Sequence, residues 1–141
     1  MQKLNLELQW GGIYISRNPE DSTYGIFRIL DFNRDAYHIA IYQEKFTTPP
    51  SLTEILKLKP FIGHAPMALS ALMINDELQL VGGQELSKED LEGYNYYLEA
   101  HDVELSEIED LTQRLIGFSK EPPMQLSLAK QGDSIEILET E

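Results

Sequence analysis

The first 46 residues form a series of short segments in which apolar and polar side chains alternate, separated by turn-forming residues. In the segment 3–9, the apolar residue at every second position is leucine. Alternation with a period of two is typical of a strand with one buried face. Similar segments lie at 13–15, 23–32 and 37–46, and their short connections favour antiparallel pairing of consecutive strands. The sequence therefore predicts an N-terminal curved antiparallel sheet, a meander of four strands.

The region after the fourth segment carries helix-start and chain-break signals instead of a regular alternation. Ser51 and Glu54 have the spacing of a capping box, which predicts a short helix over 52–57. The apolar stretch 61–74 is interrupted by a glycine and a proline, so it favours extended structure. Alternation returns at 77–81 and predicts one more strand.

Two amphipathic helices are predicted in the second half of the chain. The first begins at Ser87, with Asp90 three residues on, and the second begins at Ser106, with Glu109 at the capping-box position. Gly117 is predicted to end the second helix. The apolar stripes of the two helices are Leu91, Tyr94, Tyr97 and Leu98, and Ile108, Leu111, Leu115 and Ile116.

The C-terminal residues return to the strand pattern. Segments 124–130 and 134–138 alternate on either side of Gln131-Gly132-Asp133, which predicts a β-hairpin. The chain shows no internal repeat, no low-complexity stretch and no linker composition. The predicted fold class is α+β over a single domain, 1–141: an N-terminal antiparallel sheet, two acidic amphipathic helices and a C-terminal β-hairpin.

Acidic residues dominate the composition, with 24 Asp and Glu against 11 Lys and Arg and a formal net charge of −13. The excess lies entirely in residues 71–141, which hold 17 acids and four bases, whereas residues 1–70 hold seven of each. Phosphate contacts need clustered Lys and Arg, so this charge excludes a nucleic-acid binder. It favours a basic partner or serves solubility alone. Acids in the first turns of the helices also complement the helix dipole.

The absence of cysteine bears on compartment and chemistry. It excludes disulfides, thiolate nucleophiles and cysteine-type zinc sites, and it suits a cytoplasmic chain. The alternating N-terminal segment lacks the continuous apolar run of a signal peptide. No apolar stretch is long enough for a membrane span. The expected location is the cytoplasm, with no membrane association.

The three histidines, His38, His64 and His101, fall on different predicted elements, without metal-ligand spacing. They are interpreted as unrelated: one on a strand face, one in a loop and one at a helix end. No serine lies in a nucleophile elbow, and no glycine pair extends to a phosphate-binding loop. The sequence therefore predicts no catalytic residue, no metal ligand and no cofactor.

Arg28 is unusual because it stands in the middle of an apolar strand segment. Together with His38 or His64 in a cleft of the sheet, it would hold a substrate carboxylate or phosphate, as in a small hydrolase or a ligand-binding protein. The other interpretation pairs it with a nearby carboxylate such as Asp31 or Asp35.

A cluster of tyrosines lies among acidic residues in the first predicted helix. Tyrosine offers a large contact area at low entropic cost and is enriched at interfaces, and surrounding acids suit a basic protein surface. The alternative is an amphipathic core edge with the hydroxyls in water. The predicted partner-binding residues are Glu92, Tyr94, Tyr96, Tyr97, Glu99, Asp102 and Glu104.

Residues 10–15 (WGGIYI), 24–30 (YGIFRIL) and 37–42 resemble the opening strands of a group of bacterial polymorphic-toxin immunity proteins. Residues 78–83 (LQLVGG) are similar to the place where that group has a Trp-containing strand ending in Ile-Gly, although the Trp is missing here. With them, the resemblance covers roughly the first 85 residues. It implies a small cytosolic protein that binds and blocks a secreted toxin domain, and it brings no catalytic residues.

The sequence thus predicts a small acidic protein-binding module, an immunity-type inhibitor of a basic toxin or effector domain, and not an enzyme. Two alternatives stay open. One is the small hydrolase or ligand-binding protein built on Arg28 and a histidine. The other is an oligomerising structural domain in which the stretch 61–74 pairs with a second copy. The expected oligomeric state is a monomer or a weak homodimer.

Overall fold

The computed structural model of the chain describes residues 2–33, 36–67, 77–131 and 134–140, with side chains described over 7–32, 37–67 and 78–124. Within these ranges the chain has an α+β fold. Its elements, in chain order, are β1 (Gln2–Leu8), β2 (Gly12–Arg17), β3 (Tyr24–Asn33), β4 (Ala36–Ile41), α1 (Leu52–Ile55), β5 (Ile62–Met67), β6 (Glu77–Gly83), α2 (Glu92–Ala100), α3 (Leu105–Phe118), β7 (Met124–Gln131) and β8 (Ser134–Thr140).

The strands form two antiparallel sheets. The larger has five strands in the order β5-β4-β3-β2-β6, and the smaller has three in the order β1-β7-β8. The predicted meander is confirmed for β2, β3 and β4, and β5 continues it at the edge. The extended structure predicted for 61–74 is confirmed over Ile62–Met67, while residues 68–74 lie outside the described residues. In the smaller sheet β7 pairs with β8, with Gln131 opposite Ser134.

The strand predicted for 3–9 is confirmed, but its predicted place in the meander is wrong. β1 pairs with β7, so that Leu6 lies opposite Leu126 in the smaller sheet. The chain turns away between the sheets at Gly11, whose φ of 74° is a left-handed conformation that glycine adopts at little cost. Gly11 donates a backbone hydrogen bond to Ile29 at 2.7 Å, which fixes β2 beside β3. Alternation identifies a strand and its buried face, but not its partner strand.

The helix boundaries follow the capping signals only in part. The capping box of Ser51 and Glu54 is confirmed at the start of α1, which is shorter than predicted. Ser87 and Asp90 form the reciprocal bonds of a capping box at 2.9 and 3.2 Å. The α-helix nevertheless begins only at Glu92. Helix α3 begins one residue before the predicted start and continues through Gly117 to Phe118, so the predicted end was also wrong.

Period-two alternation in β3 divides its side chains between the two faces of the larger sheet. Ile29 packs with Tyr14 and Ile39 on one face. Leu30 packs on the other, where α2 and α3 cover the sheet. The cluster on this second face consists of Leu30, Ala40, Leu86, Leu91, Tyr94, Leu98, Ile108 and Leu115. No helix in the described part of the chain combines the length and apolar character that a membrane crossing requires.

Candidate partner-binding site

Helices α2 and α3 and their connection carry seven acidic residues and one basic residue, Arg114, a formal sum of −6. The acids are Glu92, Glu99, Asp102, Glu104, Glu107, Glu109 and Asp110. All seven are exposed to solvent. Across the described residues, none of these carboxylates forms an ion pair. The helical layer therefore presents an uncompensated negative surface.

Helix stability accounts for only some of these charges. Glu92 and Glu107 lie in the first turns of α2 and α3, where the positive end of the helix dipole stabilises a carboxylate. Glu99 lies in the last turn of α2, which holds no basic residue. The dipole of α2 disfavours a carboxylate there. Glu104 is the N-cap residue of α3, but its side chain forms no capping hydrogen bond.

A groove runs between α2 and α3 on the solvent side. Tyr96 and Leu105 lie along it and are 63% and 64% exposed. One part of the groove measures about 280 Å³ and an adjoining part about 540 Å³. The two parts have four lining residues in common, Lys88, Asn95, Ile108 and Glu109. We call this feature the α2–α3 groove: two exposed apolar side chains within a rim that holds several carboxylates and the cation of Lys88.

The structure divides the predicted partner-binding residues between two sides of α2. Tyr96 lies on the solvent side together with all four predicted acids, which are Glu92, Glu99, Asp102 and Glu104. Glu92, Tyr96 and Glu99 line the α2–α3 groove. Leu105 is a groove residue that the sequence prediction missed. One sequence signal pointed to Leu105: it is apolar but lies outside the predicted apolar stripe of the second helix.

Tyr94 is a correction, because it is 1% exposed and cannot contact a partner. Its hydroxyl donates a 2.8 Å hydrogen bond to a carboxylate oxygen of buried Asp31. Tyr97, one helical turn on, is half-buried, with its ring against those of His64 and His101. Positions three apart lie on one helix face, so these two tyrosines follow the apolar stripe towards the sheet. The core alternative is right for Tyr94, except that its hydroxyl is not in water.

Beneath α2, five aromatic rings form one cluster, and the interpretation of the histidines as unrelated is wrong. His38 on β4 and His64 on β5 stack with centroids 5.0 Å apart. The Nδ1 atom of His38 lies 2.8 Å from Nε2 of His64, so one nitrogen donates a hydrogen bond and the other accepts it. Tyr94 stacks on His64 and packs at a tilt against His38. Tyr97 packs at a tilt against both imidazoles and against His101. We call these five residues the ring cluster.

Strand pairing and one glycine create this cluster. β4 and β5 are antiparallel neighbours, which places the two imidazoles side by side although 26 residues separate them in sequence. A Cβ atom added at Gly93 would lie 3.2 Å from Cβ of His64. The missing side chain therefore lets α2 approach β5 closely.

The electrostatics of the ring cluster disfavour charge. Burial lowers the pKa of His38. Burial, and secondarily the neighbouring His38, lower the pKa of His64 to about 4. Burial raises the pKa of Asp31, against hydrogen bonds from Tyr94 and Trp10 that lower it.

In the described residues, no three His, Cys, Asp or Glu side chains converge to hold a metal ion.

Arg28 lines a separate cleft of about 420 Å³ that also includes Tyr42 and Lys59. Its guanidinium is 6% exposed and pairs with Asp90 at 3.2 Å. It also donates to the carbonyl oxygens of Gly11, Gln84 and Glu85 at 2.8 to 3.3 Å. No histidine in the described part of the chain lines this cleft.

The prediction that Asp31 pairs with Arg28 was therefore wrong, because Asp31 bonds instead to Trp10 and Tyr94. Asp35 lies outside the described residues. Arg28 joins β3 to the segment 84–90 that leads into α2. These bonds occupy most of its N–H donors, so few remain for a ligand.

Helix α2 thus has an outer face on the α2–α3 groove and an inner face on the ring cluster. The outer face offers exposed apolar side chains beside negative charge, a combination suited to binding a partner. Comparisons of the chain with protein-family models, with curated proteins and with solved structures find no match.

Proposed function

We propose that this chain is a small cytoplasmic protein-binding module, an immunity-type inhibitor that binds and blocks a basic toxin or effector domain. The binding surface is the α2–α3 groove with its acidic rim. One observation carries the proposal: exposed Tyr96 and Leu105 line a groove together with the exposed carboxylates of Glu92, Glu99 and Glu109, which form no ion pair in the described residues.

Apolar and charged groups have separate roles at such a surface. Complete burial of a leucine side chain contributes about 1.5–3 kcal/mol, so Leu105 and the ring of Tyr96 supply binding free energy. The carboxylates steer a cationic partner and raise its association rate by about 10- to 1000-fold at low salt. Affinity would therefore depend on the apolar pair, and the salt dependence on the acids.

Inhibition by occlusion needs no catalytic group in the inhibitor. The residues that resemble immunity proteins lie mainly in β2, β3 and β4, the sheet on which the helices rest. On this proposal the sheet supports the surface and the helices recognise the partner. Different partners would then be accommodated by changes on α2 and α3 alone.

A designed peptide tests the surface directly. We expect a short amphipathic peptide of Leu and Lys to bind the full chain, and a matched peptide of Leu and Glu not to bind. Calorimetry should show that Tyr96→Ala and Leu105→Ala each weaken binding about 10-fold, the equivalent of 1.4 kcal/mol. Glu109→Gln should mainly lower the association rate, whereas Glu107→Gln, outside the groove lining, serves as the matched control. Equal binding of both peptides would contradict the proposal.

The inhibitor role has its own test in cells. A toxin domain encoded beside this chain's gene is the natural candidate partner. The wild-type chain should protect cells that express this domain, and the double variant Tyr96→Ala/Leu105→Ala should not. Protection by both proteins would remove the groove from the mechanism, and protection by neither would remove the inhibitor role.

The Arg28 cleft supports a second candidate, a ligand-binding protein, since a cleft of about 420 Å³ is large enough for a small molecule. The engagement of Arg28 by three carbonyls and one carboxylate weighs against it. Saturation transfer NMR with small carboxylates and phosphates tests this candidate. Loss of the saturation-transfer signals in the Tyr42→Phe variant would favour the ligand-binding candidate.

A further inference from the structure

His38 and His64 are the only histidines of the described chain that form a direct imidazole–imidazole hydrogen bond. His38 is 2% exposed, and its second nitrogen, Nε2, is buried without a hydrogen-bond partner. A buried polar nitrogen that lacks a partner is costly, and a charge on the same ring costs more. The pair is therefore stable only while at least one imidazole is neutral.

The surroundings of the pair offer little counter-charge, because the carboxylate opposite His38 forms its hydrogen bonds with other groups. α2 contributes the rings of Tyr94 and Tyr97, and the C-terminal end of that helix contributes His101. β3 contributes Asp31, which lies opposite His38 in register. The oxygens of Asp31 accept hydrogen bonds from Trp10, Tyr94 and the backbone of Phe32. From α3, Arg114 acts on Asp31 and adds positive charge to the region.

The docking of α2 depends on this pair. The rings of Tyr94 and Tyr97 pack against both imidazoles, and Gly93 approaches the backbone of Gly63 and the Cβ of His64. Among the described elements, α2 packs mainly on β5, which carries His64, and on α3. Repulsion within the pair would thus act directly beneath the helix.

We propose that the paired imidazoles of His38 and His64 make the docking of α2 acid-labile, so that acidification detaches α2 from the sheet and dismantles the α2–α3 groove. This inference rests on the proposed function, because it assigns regulation to the same surface. A complex formed at neutral pH would be released in an acidic compartment or medium.

The sign follows from proton linkage. The pKa of His64 is lower in the docked state, about 4, than the ordinary value of 6.5. The contribution of the neutral ring to docking is therefore fully present above 6.5 and is lost as pH falls towards 4. For this one residue, detachment becomes up to about 30-fold more favourable near pH 5 than near pH 7.5. Asp31 acts in the opposite direction, because burial raises its pKa. Its protonation at lower pH favours the docked state.

Amide hydrogen exchange of the full chain tests this inference without any partner. After correction for intrinsic exchange rates, the α2 amides should exchange up to about 30-fold faster near pH 5 than near pH 7.5 in the wild type. The variant His38→Phe/His64→Phe keeps both rings and loses both titrations, so its α2 amides should not lose protection when the pH is lowered. His101→Phe is the matched control, since His101 is exposed, and it should retain the wild-type response.

Equal acid-induced exchange in the double variant and the wild type would overturn the inference, and so would a wild-type α2 that stays protected. Imidazole titration by NMR on the wild type gives a second readout if the double variant does not fold. Titration of His64 near 6.5 with unshifted α2 resonances would also overturn it. Peptide binding near pH 7.5 tests the proposed function separately, because docking is complete there.

Discussion

The inner and outer faces of α2 both carry tyrosine, but the tyrosines on the two faces have different surroundings. Tyr94 and Tyr96 are two positions apart, yet the first is 1% exposed and the second 63%. The inner tyrosine bonds to buried Asp31 and packs against two imidazoles, whereas the outer one lies in the acidic α2–α3 groove. A tyrosine cluster in sequence therefore need not be a cluster in space, because successive helical positions point about 100° apart.

This contrast also separates stability from recognition. Residues of the inner face determine whether α2 docks on the sheet, and residues of the outer face determine what the docked helix binds. Substitutions on the two faces should consequently affect different measurements.

The largest effect should come from Tyr94→Ala. Removal of a buried aromatic ring typically costs about 3–5 kcal/mol, and here it also leaves Asp31 without one donor. Tyr96→Ala removes an exposed ring and should change stability by less than about 0.5 kcal/mol. Urea unfolding of both variants measures the difference. Similar losses in the two would show that the two faces of α2 are not distinct in their packing.

A smaller effect is expected from two glycines on different helices. Gly93→Ala places a Cβ atom 3.2 Å from His64 and 3.3 Å from the Gly63 backbone, and overpacking of this kind costs about 1–3 kcal/mol. Gly117→Ala in α3 meets no atom within 4 Å and should stabilise by up to about 1 kcal/mol through helix propensity. Denaturation midpoints should move in opposite directions. A stabilising Gly93→Ala would contradict close packing of α2 on β5.

The sequence predicted the local structure better than the pairing. Alternation located β1, β2, β3 and β4, and the turn residues between β2, β3 and β4 implied their antiparallel order. The partner of β1 was not predictable in this way, because β7 lies more than 100 residues later. Long-range partners depend on how complementary surfaces pack, and alternation contains no such information.

Prediction of the site from the sequence has the same limit, because residues that meet through strand pairing share no local pattern. The acids and Tyr96 were predicted because exposure follows from helical position and charge. The ring cluster was missed because His38 and His64 have no local spacing in common and meet only through the pairing of β4 and β5. The predicted helix start at Ser87 was wrong although its capping box forms. Asp90 of that box also binds Arg28, and the turn after Ser87 is not α-helical.

The smallest expected effect concerns the acids on α2 itself, and it asks whether they serve the helix or the partner. Glu92→Gln should destabilise the fold by about 0.3–1 kcal/mol, because its charge favours the first turn, and Glu99→Gln should stabilise it by a similar amount. Urea midpoints at low salt measure both changes, and added salt should reduce them. If Glu99→Gln is destabilising, the fold itself uses that carboxylate and the argument for a binding role weakens. If it stabilises the chain and slows peptide association, Glu99 costs stability and contributes to recognition, as expected of a residue on the outer face.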